Sequence, residues 1–270
     1  MDLAFDHLVH FLQRKPGEAV NVFAQAGFHA VPGGRHSLWG TWNALSYFDL
    51  SYIEFFAVEH AELARQSDNP LVRQLVEEIS LGEGFGQIAL RTTRMDEWAE
   101  HLRAKGLPVT GPVQGRRTRE DGTEIRWRML FFQADANGFA PPFFIEWEQP
   151  DEERRDDLTR RGILAPHPNG AAGLQAVGYA VHDLEKAAER WKSWFAVESG
   201  AVFYDERIDA WCTSIPLAGG DVRFCQPKGD GLASQALRAR GEHPFVAWFA
   251  GGEKDREWSV FGGLYRTSGE

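Results

Sequence analysis

The sequence predicts an α+β fold built from a repeated βαβββ unit, and two observations carry that prediction. One pattern recurs three times along the chain and begins a fourth time: a short apolar strand, a polar turn, an amphipathic helix ending near glycine, then further strands. Within each copy the apolar spacing changes from the helical period to the two-residue alternation of strands.

The first copy opens with AFDHLVHFL (4–12) and continues into the helix PGEAVNVFAQAG (16–27). Pro16 is placed to start that helix and Gly27 to end it. Its strands are FHAVPG (28–33), TWNALSYF (41–48) and SYIEFFAVE (51–59). The second copy opens with FGQIALRTT (85–93), followed by the helix MDEWAEHLRAKG (95–106). Strands follow at PVTGPVQGRRT (108–118), EIRWRMLFFQ (124–133) and PPFFIEWEQ (141–149), with EDGT (120–123) as a hairpin turn. The third copy opens with LQAVGYAVHD (174–183), has its helix at LEKAAERWKSWF (184–195), and ends in AVFYDE, AWCTSIPL and DVRFCQ. A fourth begins at HPFVAWFAGG (243–252) and lacks a clear last strand before the C-terminus. Helical segments at 61–80 and 232–240 bridge the paired copies. Segment 149–173 is charged, then rich in proline and glycine, with weak periodicity, as expected of a linker. The predicted organisation is paired units over 1–150, a linker over 151–172, and the third and shortened fourth units over 173–270.

Composition bounds the function. A net charge of −10 argues against nucleic acid or an anionic membrane as partner. Cys212 and Cys225 are the two cysteines, which suggests a reducing compartment and free thiols. No apolar run is long enough to span a bilayer. The default is a cytoplasmic protein with a small-molecule partner. The cleft can form within one chain, so a homodimer is allowed but not required.

Four such units in pairs resemble the vicinal oxygen chelate superfamily of glyoxalase I, extradiol dioxygenases and the fosfomycin- and bleomycin-resistance proteins. The stretch PGGRHSLWGTWNALSYFDLSYIEFFAVE (32–59) adds a narrower likeness, with FDHLVHF before it and DGTEIRWR and PPFFIEWE after it. It resembles the glyoxalase-like domain branch over residues 4–180. The resemblance implies paired modules forming curled mixed sheets around a cleft, helices outside. It implies no particular reaction.

In the superfamily, metal ligands come from the first and last strand of each module. Laying FDH over FGQ and YIEFF over FIEWE proposes His7, Glu54, Gln87 and Glu146 as that set. One imidazole, one amide and two carboxylates would suit Mg, Mn, Ni, Co or Zn. Strand alternation puts Glu54 on a face opposite Ile53 and Phe55, and Glu146 opposite Ile145 and Trp147. The third copy has Ala176 at the His7 position and Arg223 at the Glu54 position, and the fourth has Phe245 near the first-strand position, so the second half carries no such set. If no metal binds, the two glutamates need other partners, and arginines are the obvious ones.

The polar loop PGGRHSLWGTWNAL supplies Arg35 and His36 to bind an anion or deliver a proton, and Asn43 to orient a carbonyl. A solvated Arg–His hairpin is the plain alternative. Arg126 and Arg128 share a face, with Trp127 opposite, and could neutralise the carboxylates or clamp a substrate anion; a charged, solvated strand edge is the alternative. Trp42 and Trp39 are the aromatic substrate-contact candidates, and Trp127 and Trp147 further cleft-lining ones.

The leading expectation is a divalent-metal-dependent lyase or isomerase of glyoxalase type. The metal would polarise a small oxygenated substrate while Glu54 or Glu146 moves a proton. The alternative is a metal-free, drug-sequestering binding protein, and a third reading is a structural module.

Overall fold

The computed structural model describes residues 2–119, 122–134, 139–252 and 256–268. The first unit comprises β1 (Ala4–Leu12), α1 (Pro16–Gln25), β2 (Val31–His36), β3 (Thr41–Phe48) and β4 (Ser51–Val58). Helices α2 (Ala61–Gln66) and α3 (Pro70–Glu78) bridge to the second unit, broken where Asn69 caps α3 ahead of Pro70. That unit comprises β5 (Gly84–Arg91), α4 (Met95–Ala104), β6 (Val109–Thr118), β7 (Glu124–Phe132) and β8 (Phe143–Trp147). Of the expected 120–123 turn, Glu120 and Asp121 lie outside the described residues.

The two units close into one eight-stranded barrel, in the order β1-β4-β3-β2-β6-β7-β8-β5. Each unit joins its first and last strands in parallel, β1 to β4 and β5 to β8, while β1 and β5 run antiparallel. Most of the expected polar loop is strand: residues 31–36 form β2, and only the tip before Thr41 turns. Two successive glycines made this stretch read as loop; its partner strand β3 holds it extended.

Beyond the barrel, the segment expected as a linker folds into α5 (Asp151–Arg160). Pro150 precedes it, Asp151, Glu152 and Glu153 fill its first turn, and Arg160 its last, all matched to the helix dipole. The second half comprises β9 (Ala171–Ala180), α6 (Leu184–Phe195), β10 (Phe203–Asp205), β11 (Ala210–Ile215), β12 (Asp221–Pro227), α7 (Leu232–Arg240), β13 (Pro244–Gly251), β14 (Glu257–Val260) and β15 (Gly263–Ser268). Its strands form one sheet, ordered β10-β11-β12-β9-β13-β15-β14. The fourth unit does have a last strand. β15 pairs in parallel with β13, as β4 does with β1, although GLYRTS is too short and glycine-led to read as a strand alone.

Helices lie outside the barrel, and three are sandwiched between it and the second sheet. Phe23 of α1, Trp98 of α4 and Trp191 of α6 share one core with barrel residues Phe55 and Phe144 and sheet residues Val177, Phe224 and Phe249. Cys212 and Cys225 sit directly opposite on β11 and β12, buried and free. Among the described residues no helix is long and apolar enough to cross a membrane.

Candidate functional site in the barrel lumen

Strand alternation decides which residues face the lumen. From β4 these are Tyr52, Glu54 and Phe56, and from β3 Asn43, Leu45 and Tyr47. Ile53 and Phe55 point outward into the shared core. A helix packs against each end of the lumen. Leu71, Val72 and Leu75 of α3 pack with Val9 and Phe56 at one end. Leu158 of α5 packs with Leu45, Tyr47 and Tyr52 at the other. Between these helices the lumen keeps a narrow cavity walled mainly by aromatic side chains.

One polar chain crosses this cavity. Asp6 Oδ1 accepts from His7 Nδ1 at 2.7 Å. His7 Nε2 faces Glu54 Oε2 at 3.5 Å. Asn43 Nδ2 donates to Glu54 Oε1 at 2.6 Å, and Asn43 Oδ1 accepts from Gly34 N at 2.9 Å and Arg117 Nη1 at 3.2 Å. The amide is therefore held from both ends, and Oε2 is the carboxylate oxygen left beside the imidazole. A side chain on Gly34 would collide with Arg117, so glycine there lets the two come together. Tyr52, the cross-strand neighbour of His7, stacks on its ring with centroids 4.5 Å apart.

Asp6 is fully buried. Its Oδ2 lies 3.1 Å from Arg91 Nη1, 3.1 Å from Trp147 Nε1 and 3.5 Å from Arg154 Nη1. Burial alone would raise this carboxyl. The Arg154 charge, the His7 contact and Arg91 outweigh it and hold Asp6 well below the usual carboxylate range. An ionised Asp6 keeps the proton on Nδ1 and turns Nε2 to the cavity.

The structure does not bring Glu146 into this group. Phe143, Ile145 and Trp147 line the lumen, and Glu146 lies on the outer face of β8. There it is the cross-strand partner of Arg128, which binds it through Nε at 2.7 Å and through Nη2, and reaches Asp96 at 3.1 Å. Glu146 Oε1 also accepts from Met95 N at 3.3 Å, at the start of α4. The reason is register. Val9, two residues beyond His7, has Glu54 as its parallel partner. Ala89, two residues beyond Gln87, has Phe143. Aligning YIEFF with FIEWE puts Glu146 where pairing puts Phe143, an offset of three residues, and an odd offset reverses the face.

Other expected members also sit elsewhere. Gln87 is buried, but its amide donates to Pro141 O at 2.6 Å and it does not line the cavity. Arg126 is exposed and paired with Glu124 at 2.5 Å. Arg126 and Arg128 share a face as expected, but it is the outer one, because Trp127 takes the lumen side. Arg35 is largely exposed, paired with Glu59 at 2.6 Å and set over Trp42. Trp42 packs toward the outer core, leaving Trp39 to line the lumen with Trp127 and Trp147. His36 does line it, but burial, and then the Arg117 charge, lowers its pKa to about 3, so it contributes a neutral ring.

Residues 5–195 match the glyoxalase-like domain family. The chain belongs to that family. Its structural neighbours are members of the vicinal oxygen chelate superfamily. A hypothetical protein from Staphylococcus aureus superposes with a TM-score of 0.75 at 21% identity, covering 99% of this chain and 100% of the other. A triple variant of 4-hydroxymandelate synthase from Streptomyces coelicolor superposes with a TM-score of 0.57 at 11% identity, covering 93% and 71%. A fusion of a xylose isomerase-like TIM barrel with 4-hydroxyphenylpyruvate dioxygenase gives 0.51 at 10% identity, covering 92% and 36%. At these identities the likeness is one of fold. No curated protein matches the sequence.

The glyoxalase-like resemblance implied a four-ligand metal set, and the donors in place do not fit one. His7 and Glu54 are together, while Gln87 is tied to Pro141 and Glu146 is outside the barrel. Among the described residues no three His, Cys, Asp or Glu side chains group as a metal site. Protein-held divalent ions usually take three or more such ligands. Sequence reasoning missed Asp6 and Arg154. Asp6 falls in a β-bulge between Phe5 and His7, which re-aims its side chain toward His7. Arg154 arrives from α5, whose charged sequence carries no periodic signal.

Proposed function

We propose that the lumen binds a small oxygenated carbonyl or carboxylate compound and that Glu54 and His7 move a proton at a carbon beside its carbonyl. This is lyase or isomerase chemistry of the glyoxalase type. The observation that carries the reading is the buried chain Asp6–His7–Glu54–Asn43, with Nε2 and Oε2 facing each other in an aromatic cavity. Asp6 orients the imidazole, and Asn43 fixes one oxygen of Glu54. A proton removed from substrate by Oε2 can pass to Nε2 and return at a neighbouring atom, the ordinary action of a paired acid and base. Tyr52, Trp127 and Trp147 keep water from the developing carbanion.

A second reading, a metal-free sequestering protein, is supported by the narrow, aromatic-walled cavity, which would hold a flat ligand without chemistry. Deuterium exchange separates the two. A panel of small 2-oxo and 2-hydroxy compounds in deuterated water is followed by proton NMR. The enzyme reading expects at least one compound to exchange its α-hydrogen with wild-type protein and not with Glu54→Gln. Tight binding of panel members without exchange would favour sequestration.

A further inference from the structure

We infer that the compartment between the barrel and α5 receives the anionic group, a carboxylate or phosphate, of the molecule whose body occupies the lumen. The inference deepens the reading of the lumen as a small-molecule site and rests on it. The compartment is open to solvent. Tyr47, Arg117 and Trp147 wall both spaces, so the two adjoin.

Three arginines face this compartment with unmet donors, of which Arg119 is short only at Nε and is paired with Asp157. Arg154 is 4% exposed, yet neither Nη1 nor Nη2 has a hydrogen-bond partner. Its nearest anion is Asp6 Oδ2 at 3.5 Å, an oxygen already taken by Arg91 and Trp147. The Tyr47 hydroxyl and the Trp147 ring, whose centroid is 4.2 Å from the guanidinium carbon, also lie against Arg154. Arg117 donates through Nη1 to the neutral amide of Asn43, while its buried Nε has no partner. Among the described residues no carboxylate pairs with Arg117. A buried guanidinium with unmet donors is costly, and a two-oxygen anion is the group that satisfies its fork.

The carboxylates around the compartment do not serve this purpose. Asp157 is bound to Arg119 at 2.7 Å and Arg161 at 2.9 Å, and Glu124 to Arg126. Glu148 and Glu153 are exposed, so water solvates them. Positive charge therefore lies deep and negative charge at the rim, an order that admits an anion and orients it inward.

The test is calorimetric titration at low salt with phenylacetate, phenyl phosphate, inorganic phosphate and the neutral isostere phenylacetamide. Phenylacetate or phenyl phosphate is expected to bind about tenfold or more tightly than the amide, as a charge-assisted contact requires. The stronger of the two identifies the anion, and binding of inorganic phosphate alone would mark a free-phosphate site. Arg117→Gln and Arg154→Gln should each reduce the anionic probe to the level of the amide, and Arg128→Gln should not. Melting curves establish that each variant is folded, and Arg117→Gln carries the test if Arg154→Gln is not. Equal binding of acid and amide, no binding of any anion, or anion affinity unchanged in Arg117→Gln would overturn the inference. The same titrations on Glu54→Gln separate it from the proton-transfer reading. That reading can fail by exchange while the Arg117-dependent anion preference stands, and the reverse also holds.

Discussion

Asp6 Oδ1 holds His7 Nδ1 at 2.7 Å, and both side chains are buried at the same end of the barrel. The pair joins a residue that sets a proton's position to one that uses it. Asp6→Asn keeps the shape but removes the charge that fixes the imidazole and balances Arg91 and Arg154. Arg91 keeps Asp151, but leaving the buried Arg154 without its counter-charge is expected to cost about 3–5 kcal/mol in urea unfolding. Exchange activity should fall about a hundredfold or more in whatever fraction stays folded. Activity equal to wild type in the folded variant would show that Asp6 is purely structural.

Glu54 and Glu146 should behave as different kinds of residue, although their sequence surroundings are nearly the same. Glu54→Gln is expected to abolish α-hydrogen exchange with little change in melting temperature, since the amide still accepts from Asn43. Glu146→Ala is expected to leave exchange and ligand affinity intact. It loses a partly exposed ion pair and an anchor for α4, about 1–2 kcal/mol of stability. Loss of exchange in Glu146→Ala would contradict its outer-face position.

Acid should destabilise the fold well before the carboxylates titrate. Burial lowers the pKa of His10 to about 4, of His36 to about 3 and of His167 to about 4. These folded-state values lie below the unfolded value of about 6.5. The unfolded chain therefore binds more protons in acid. The stability from keeping these rings neutral is complete above about pH 6.5 and is lost as pH falls toward 4. Each ring contributes a slope of about 1.4 kcal/mol per pH unit within that window. Urea titrations at pH 7, 6 and 5 read the slope, and His36→Gln should lower it by one such increment. A flat profile between pH 7 and 5 would contradict the neutral, buried assignment.

Metal content should not depend on the four residues of the expected set, whose donors do not group as a site. Any divalent ion that chelator-free protein carries is expected to be unchanged in His7→Ala, Glu54→Ala, Gln87→Ala and Glu146→Ala. Elemental analysis of the four variants reads this directly. A coordinated loss in all four would restore the four-ligand centre.

The repeat, the helices at 16–27, 95–106 and 184–195, and the inward face of Glu54 were all legible from the chain alone. They rest on periodicity and end signals that act over a few residues, which a sequence displays. So was the absence of a His7–Glu54 counterpart in the second half, because β12 keeps the register that the internal comparison assumed: Arg223 stands two beyond the partner of Ala176. The rest depended on partners distant in the chain. A three-residue offset between two similar segments placed Glu146 inside when pairing puts it outside. A bulge that only the β1–β5 register reveals turns Asp6 onto His7. A charged segment with the composition of a linker became the helix that packs against one end of the lumen and delivers Arg154. Alternation along a strand tells which residues share a face. Which face is the inside, and which arginine reaches a buried carboxylate, are settled by strand pairing and by the elements that cap the barrel.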